Sequence, residues 1–380
     1  MNFDLSEEQR LLQESLRRLL ADRYGFTQRN AAMAAPEGWS RKIWRSYAEL
    51  GLLGLPFEEA DGGFGGGPVE AMLVAEALGE ALTLEPWFTT VVLGGGFLRH
   101  GASEAQRRAL VPQIAAGEAL VAFAQMETQS RYSLSDVATE ARRDGDGWVL
   151  EGRKRVVLHG DTADWVVVTA RTSGARSDRA GIGVFLVPAS APGLLRQGYA
   201  TVDGQRAAEV TLSGVRVGPD SVLGDPAEGL PLVERVVDEA IAALAAEAVG
   251  CMSALHALTL EYLKTRHQFG RAIGQFQVLQ HRASDMMVAL EQARSMAMYA
   301  TMMLDEPTPE RRSAMSAVKV QIGRSAKLIG QHAVQMHGGI GIATEYAAGH
   351  YFKRLAAIDT LFGNVDHHLE TLAAEVSAVA

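Results

Sequence analysis

Cysteine is almost absent from this chain: 380 residues contain one, Cys251. A single thiol excludes an internal disulfide framework and fits a reducing compartment. Clustered positive charge is also missing. With 36 Lys and Arg against 45 Asp and Glu, a net charge of −9 and no basic run, the chain lacks the surface that nucleic-acid binding requires. The opening Met1-Asn-Phe-Asp-Leu-Ser-Glu-Glu8 is acidic and does not have the basic-then-apolar layout of a signal peptide, so a cytoplasmic location is expected. Long strongly apolar runs are scarce. Ala240 to Leu260 comes nearest, but alanine dominates it and Glu247 and His256 interrupt it, which predicts a buried bundle helix and no membrane crossing. No HExxH, no Gly-x-Ser-x-Gly elbow and no Gly-x-Gly-x-x-Gly after a strand occurs, so zincin, hydrolase and Rossmann readings fall away. The histidines do not restore a metal site: His367 and His368 are adjacent and point apart, and His332 and His337 are badly spaced for chelation.

What is present reads as an ordinary globular protein, 47% apolar and 21% charged, long enough for two or three domains. Residues 1–118 look helical. Ser6 and Gln9 have capping-box spacing, and Leu12, Leu16, Leu19 and Leu20 make an apolar stripe. A second helix carries Trp44, Tyr47 and Leu50, and helix resumes over Val69 to Leu78. The glycine-rich run Pro56 to Pro68 between them lacks the Lys-Ser/Thr ending of a P-loop and follows no strand, so it reads as a turn. Over 119–227 the pattern changes to short β-branched or aromatic runs: Trp148-Val-Leu, Trp165-Val-Val-Val, Val184-Phe-Leu-Val and Val210-Thr-Leu. Turn-formers separate them, predicting an antiparallel β-barrel or sandwich. Over 228–380 long helices return, and the expected fold is α+β multidomain with a C-terminal four-helix bundle. Ile241, Leu244, Ala248, Cys251, Leu255, Leu258 and Tyr262 alternate spacings of three and four along one of these helices. A second face holds Ala240, Ala243, Glu247, Gly250 and Ala254, nearly all small, which lets another backbone or a flat ligand approach. The methionines between Met286 and Met315 read as core filling.

Two C-terminal blocks are the most specific feature: Arg266-His-Gln-Phe-Gly followed by Phe276-Gln277, and Gln335-Met-His-Gly-Gly-Ile-Gly341. Together with Glu49-Leu-Gly-Leu-Leu-Gly-Leu-Pro56, Glu76-Ala-Leu-Gly79 and Asp144-Gly-Asp-Gly-Trp to Lys154, they resemble the acyl-CoA dehydrogenase family nearly end to end. That resemblance implies FAD as cofactor and an acyl-CoA substrate. Partners would be a homo- or hetero-tetramer with a second subunit of the same family, and an electron-transfer flavoprotein as a possible electron acceptor. The residue types suit the cofactor. Arg266 is a forked, permanent cation for a pyrophosphate, Phe269 an aromatic surface, Gln277 and Gln335 amide donors, and Gly338-Gly339 a place for close backbone approach. The resemblance adds Gln268, Phe276, Asn364, Met126 and Ser135 to the cofactor contacts. It also implies that the Arg266 and Gln335 blocks hold the adenosine-diphosphate end of FAD bound chiefly to an adjacent subunit.

The likeness breaks where the chemistry is done. The family reaction removes an α-proton with a carboxylate while hydride leaves to flavin. The commonest position of that base falls here on Phe362, in Leu361-Phe-Gly-Asn364, and the alternative position on Ala240. The loop that wraps the flavin edge reads Met126-Glu-Thr-Gln-Ser-Arg-Tyr-Ser-Leu-Ser-Asp136. The Trp-Ile-Thr whose hydroxyl meets flavin N5 reads Val156-Val-Leu158. Two carboxylates remain as candidate bases. Glu247 lies about 10 Å along the axis from Ala240 on the same helix face, and Glu239 is adjacent to Ala240 but turned by about 100°. Pairing of Glu247 with a nearby cation is the structural alternative. The expectation is a dehydrogenase subunit without its own base, most similar to small subunits handling CoA thioesters of dicarboxylic acids or steroid side chains; the alternatives are a homotetrameric dehydrogenase with Glu247 as a relocated base and a non-catalytic subunit that binds CoA or a partner.

Overall fold

Ser6 caps the first helix as its spacing to Gln9 predicts: Ser6 Oγ accepts from the Gln9 amide, and the Gln9 side chain accepts from the Ser6 N–H. The computed structural model describes residues 4–379, with side chains as far as Ser377, so the first three residues of the N-terminal stretch read above lie outside the described residues. The helices are α1 (Glu7–Arg23), α2 (Phe26–Ala34), α3 (Arg41–Glu49), α4 (Pro68–Glu80), α5 (Gly95–Gly101), α6 (Glu104–Ala115), α7 (Leu230–Thr265), α8 (Gln277–Met303), α9 (Thr308–His337), α10 (Ala347–Thr360) and α11 (Val365–Val379). The strands are β1 (Val121–Ala124), β2 (Glu140–Asp144), β3 (Gly147–Leu158), β4 (Trp165–Arg171), β5 (Ile182–Pro188), β6 (Leu194–Ala200), β7 (Arg206–Val217), β8 (His267–Gln268) and β9 (Arg271–Ala272). They assemble into two compact units, each discontinuous in sequence.

The first unit takes residues up to Ala31, Pro68–Thr83 and everything from Ile241 onward. Here α9 packs on α8, α10 and α11, and α4 packs on α1 and α8. From α7, His256 meets the Ala283 carbonyl on α8, and Tyr262 stacks near His337 at the end of α9. The small-residue face of α7 has its predicted use. A Cβ at Gly250 would collide with the Glu76 carbonyl of α4, and one at Gly79 of α4 would collide with the Glu247 carbonyl, so the two backbones touch with a glycine on each side. Glu76 then gathers Arg294 from α8 and Arg17 from α1, at 2.8 and 3.8 Å, and Arg17 forks onto Glu80. α7 is long and apolar enough to cross a membrane by composition, and most of it is buried inside the protein.

The second unit holds Ala32–Gly67 and Leu84–Ala240, including the sheet. The predicted runs lie in β3, β4, β5 and β7, and β3–β7 is the longest pairing, antiparallel with two register shifts. One edge of β4 pairs antiparallel with β5; the other pairs parallel with β1 and then with the start of β2. Seven strands thus form one curled, mainly antiparallel sheet around Trp148, Leu150, Val166, Val168, Phe185 and Leu212. β4 and β5 are buried almost throughout and so lack in–out alternation. β3 alternates, and the alternation brings Lys154 inward. Its ammonium, fully buried, donates to Glu127 (2.7 Å), Thr169 Oγ1 (3.0 Å) and the Gln125 carbonyl (3.3 Å). Glu127 also accepts from the Ala138 and Thr139 amides, which ties the loop after β1 to the sheet.

Gly250→Ala should destabilise by about 1–3 kcal/mol through overpacking, read as a lowered melting temperature. Gly339→Ala, where a Cβ meets open space, should leave it nearly unchanged. Glu127→Gln should cost about 3–5 kcal/mol at neutral pH because Lys154 is left buried and unpaired. Burial alone would raise the Glu127 carboxyl, but the Lys154 charge and hydrogen bond hold it at about 2 instead of 4.5. Stability owed to a depressed carboxyl is complete above the unfolded value and fades as pH falls toward the folded one. Denaturant titrations should therefore show the gap between wild type and Glu127→Gln shrinking from pH 4.5 toward 2.

Candidate functional site

α7 ends in a solvent-facing hairpin. β8 and β9 pair Gln268 with Arg271 across a two-residue turn, and both turn residues, Phe269 (φ +52°) and Gly270 (φ +77°), adopt left-handed backbone, as tight hairpins require. The Phe269 ring is 90% exposed, an unusual state for phenylalanine, and stands edge-on to Phe276 at 6.1 Å. Arg271 lies over the Phe276 ring at 4.1 Å. Arg266 roots the hairpin: its amide closes on Tyr262, and its carbonyl accepts from Ile273. Among the described residues the side chains of Arg266, Gln268 and Gln277 have no hydrogen-bond or ion-pair partner, and all three are exposed.

The second block lies at the end of α9. Gln335 is exposed and likewise without a side-chain partner among the described residues, and Gly338 and Gly339 face open space. Between them and the hairpin stands an aromatic group. His337 lies 4.6 Å from Tyr262 and 5.2 Å from Tyr346, centroid to centroid. Its Nδ1–H donates to the Ala333 carbonyl at 2.8 Å, and burial lowers its pKa. The two sequence blocks are thus joined within one chain through Tyr262 and His337. An unpaired guanidinium, three unpaired amides, an exposed aromatic ring and open glycines fit the adenosine-diphosphate end of FAD in charge, donors and shape. Asn364 is partly committed elsewhere: its Oδ1 accepts from the His367 amide at the start of α11.

At the positions considered for a base, the structure offers an aromatic ring and two engaged carboxylates. Phe362 follows α10 with left-handed backbone (φ +57°). The next residue, Gly363 (φ +112°), has no room for a Cβ beneath His367 and His368, which accounts for the glycine. Glu247 forms a fork with Arg354 of α10, at 2.6 and 2.9 Å and largely buried. In the second unit Ala240 is fully buried, and Glu239 is held by Arg99 (2.7 Å), His100 (2.6 Å) and Arg235 (3.1 Å). Burial alone would raise the Glu239 carboxyl, but the His100 hydrogen bond and the charges of Arg99 and Arg235 bring it down to about 2. A carboxylate that acidic is a poor proton acceptor at neutral pH.

Of the residues that the resemblance assigns to the flavin edge, the Met126 carbonyl already accepts from the Arg155 amide, the Ser135 carbonyl from Arg171, and Ser135 Oγ lies 3.3 Å from Ser133 Oγ. Arg155 and Val156 occupy the β3 bulge between Lys154 and Val157, and Val156 is left-handed (φ +49°), a costly state for a β-branched residue. Val157 and Leu158 supply no hydroxyl there.

Sequence reasoning did not single out the buried ammonium groups of Lys154 and Lys319. Each carried a signal: Lys154 shares the inward face of β3 with Trp148 and Leu150, and Lys319 lies on the apolar stripe of α9 with Met315, Ile322 and Ala326. Burial brings the pKa of both down to about 8. No cluster of His, Cys, Asp and Glu suited to a metal occurs among the described residues.

Residues 6–118, 122–215 and 227–377 match the N-terminal, middle and C-terminal domains of acyl-CoA dehydrogenase. The probable acyl-CoA dehydrogenase YngJ of Bacillus subtilis (strain 168) is 31% identical over 356 residues, covering 91% of this chain and 92% of YngJ. Among solved structures, glutaryl-coenzyme A dehydrogenase in complex with glutaryl-CoA has a TM-score of 0.92 at 25% identity, covering 100% of this chain and 98% of that one. The Tcur3481-Tcur3483 steroid ACAD variant has a TM-score of 0.88 at 29% identity, covering 98% of each chain. With three domain matches in order along nearly its whole length, the chain belongs to the acyl-CoA dehydrogenase family of FAD-dependent oxidoreductases.

Proposed function

We propose that this chain is the base-lacking subunit of a heterotetrameric acyl-CoA dehydrogenase, contributing the adenosine-diphosphate contacts of FAD while a related partner subunit supplies the proton acceptor. One contrast carries the reading: the Arg266 and Gln335 blocks are exposed and unpartnered, whereas every carboxylate considered as a base is replaced or engaged. FAD, when bound, supplies the hydride acceptor of the desaturation. The work left to this chain is to hold the pyrophosphate with Arg266, cover the adenosine with Phe269 and seal the site from water. A relative whose designation joins two polypeptides, Tcur3481-Tcur3483, supports a two-component assembly. That relative is a steroid enzyme and another is seen with glutaryl-CoA, which supports a CoA thioester of a bulky or dicarboxylic acyl group as substrate.

Purified alone, the chain should retain little flavin and show no acyl-CoA turnover; co-produced with its partner it should be yellow and active. A yellow, active chain in isolation would contradict the reading and point to a homotetramer with a relocated base. Within the active complex, Arg266→Ala should weaken FAD binding roughly 10- to 100-fold, the effect of one lost charge-assisted contact, measured by flavin release on dilution.

A further inference from the structure

The last carbonyls of α10 meet an ammonium group from another helix. Lys319 of α9, only 2% exposed, donates to the carbonyls of Ile358 (2.8 Å), Asp359 (3.1 Å) and Leu361 (2.8 Å). An ammonium has three protons, and all three are used. A helix C-terminus leaves its final carbonyls unbonded and carries partial negative charge, so a cation there meets both needs.

Three residues earlier on the same face of α9, the Ser316 hydroxyl lies 3.1 Å from His368 Nδ1, and His368 Nε2 lies 3.0 Å from the Phe362 carbonyl. A carbonyl can only accept, so Nε2 carries the proton and Nδ1 accepts from Ser316. One face of α9 therefore grips four carbonyls around a single turn, three directly and one through His368. Phe362 is within that grip, with a left-handed backbone that is uncommon for an aromatic residue.

We propose that Lys319 and His368 are positioning residues that impose the left-handed conformation at 362 and so set the direction of that side chain whatever its chemistry. On this view the turn is a preserved socket from which the acid has been lost. That position 362 borders the reacting thioester rests on the function proposed above; the clamp itself does not.

The test compares Phe362→Gly with Phe362→Ala, which lose the same ring and differ by one methyl group and the backbone preference it brings. In the otherwise unaltered chain the glycine variant should melt higher, by about 2 °C or more, because glycine tolerates left-handed backbone. Adding Lys319→Met should abolish or reverse that order as the turn relaxes. An order that persists with Lys319→Met, or alanine melting higher from the start, would overturn the clamp. Should Lys319→Met fail to fold, nitrogen NMR of labelled histidines in the unaltered protein decides. His368 is expected as the neutral Nε2–H tautomer at pH 7, and an imidazolium or the Nδ1–H tautomer would overturn the proposal. Turnover by the isolated chain would sink the subunit reading and leave the clamp standing, so the two failures are distinguishable.

Discussion

A carboxylate held by cations is a poorer proton acceptor than a free one, and the proposed function rests on this constraint. Glu247 is closed into a two-bond fork by Arg354, and Glu239 is ringed by Arg99, His100 and Arg235. Each would have to break short, charge-assisted hydrogen bonds before taking a proton from carbon. Neither group is idle. Arg354 is a largely buried cation, and Glu247 is a counter-charge beside the α4–α7 crossing, where backbone replaces side chains. Using such a group as a base would unsettle the packing around it.

The same economy appears in reverse at the end of α7. Elsewhere most buried polar groups are paired, yet Arg266, Gln268, Gln277 and Gln335 stand exposed, as does the Phe269 ring. Such groups add nothing to the stability of the chain that carries them, and their arrangement makes sense when a ligand or a second subunit covers them. On the proposed function, these are the groups the chain lends to an assembly, and the base is the group it leaves to the partner. Rigid supports remain in both units: the Lys319 and His368 contacts around Phe362, and the Lys154–Glu127 pair beneath the loop that starts at Met126.

Much of the fold was legible in the sequence because its signals are local. The Ser6–Gln9 cap, the apolar periodicity of α7 and the β-branched runs of β3, β4, β5 and β7 each report on a few neighbouring residues. β6 carried no such signal because it is an edge strand with five of its seven residues exposed, and β1 is only four residues long. The discontinuous units were not legible either, since periodicity says nothing about which segments meet. The recognition blocks were the clearest part of the site, being short, glycine-marked and specific. Partnerships were the hardest: a lysine on an apolar stripe announces burial, but not that three carbonyls at and just past the end of α10 await it. The left-handed turn at Phe362 was hidden for a related reason, because glycine or asparagine usually marks such backbone and a tertiary clamp supports it here.

A structure of the natively assembled complex with a bound acyl-CoA thioester tests the central claim most directly. The account predicts that the carboxylate in contact with the α-carbon belongs to the partner subunit, with Arg266 of this chain on the flavin pyrophosphate. A carboxylate of this chain at that carbon, whether Glu247 freed from Arg354 or Glu239 freed from Arg99, His100 and Arg235, would contradict it.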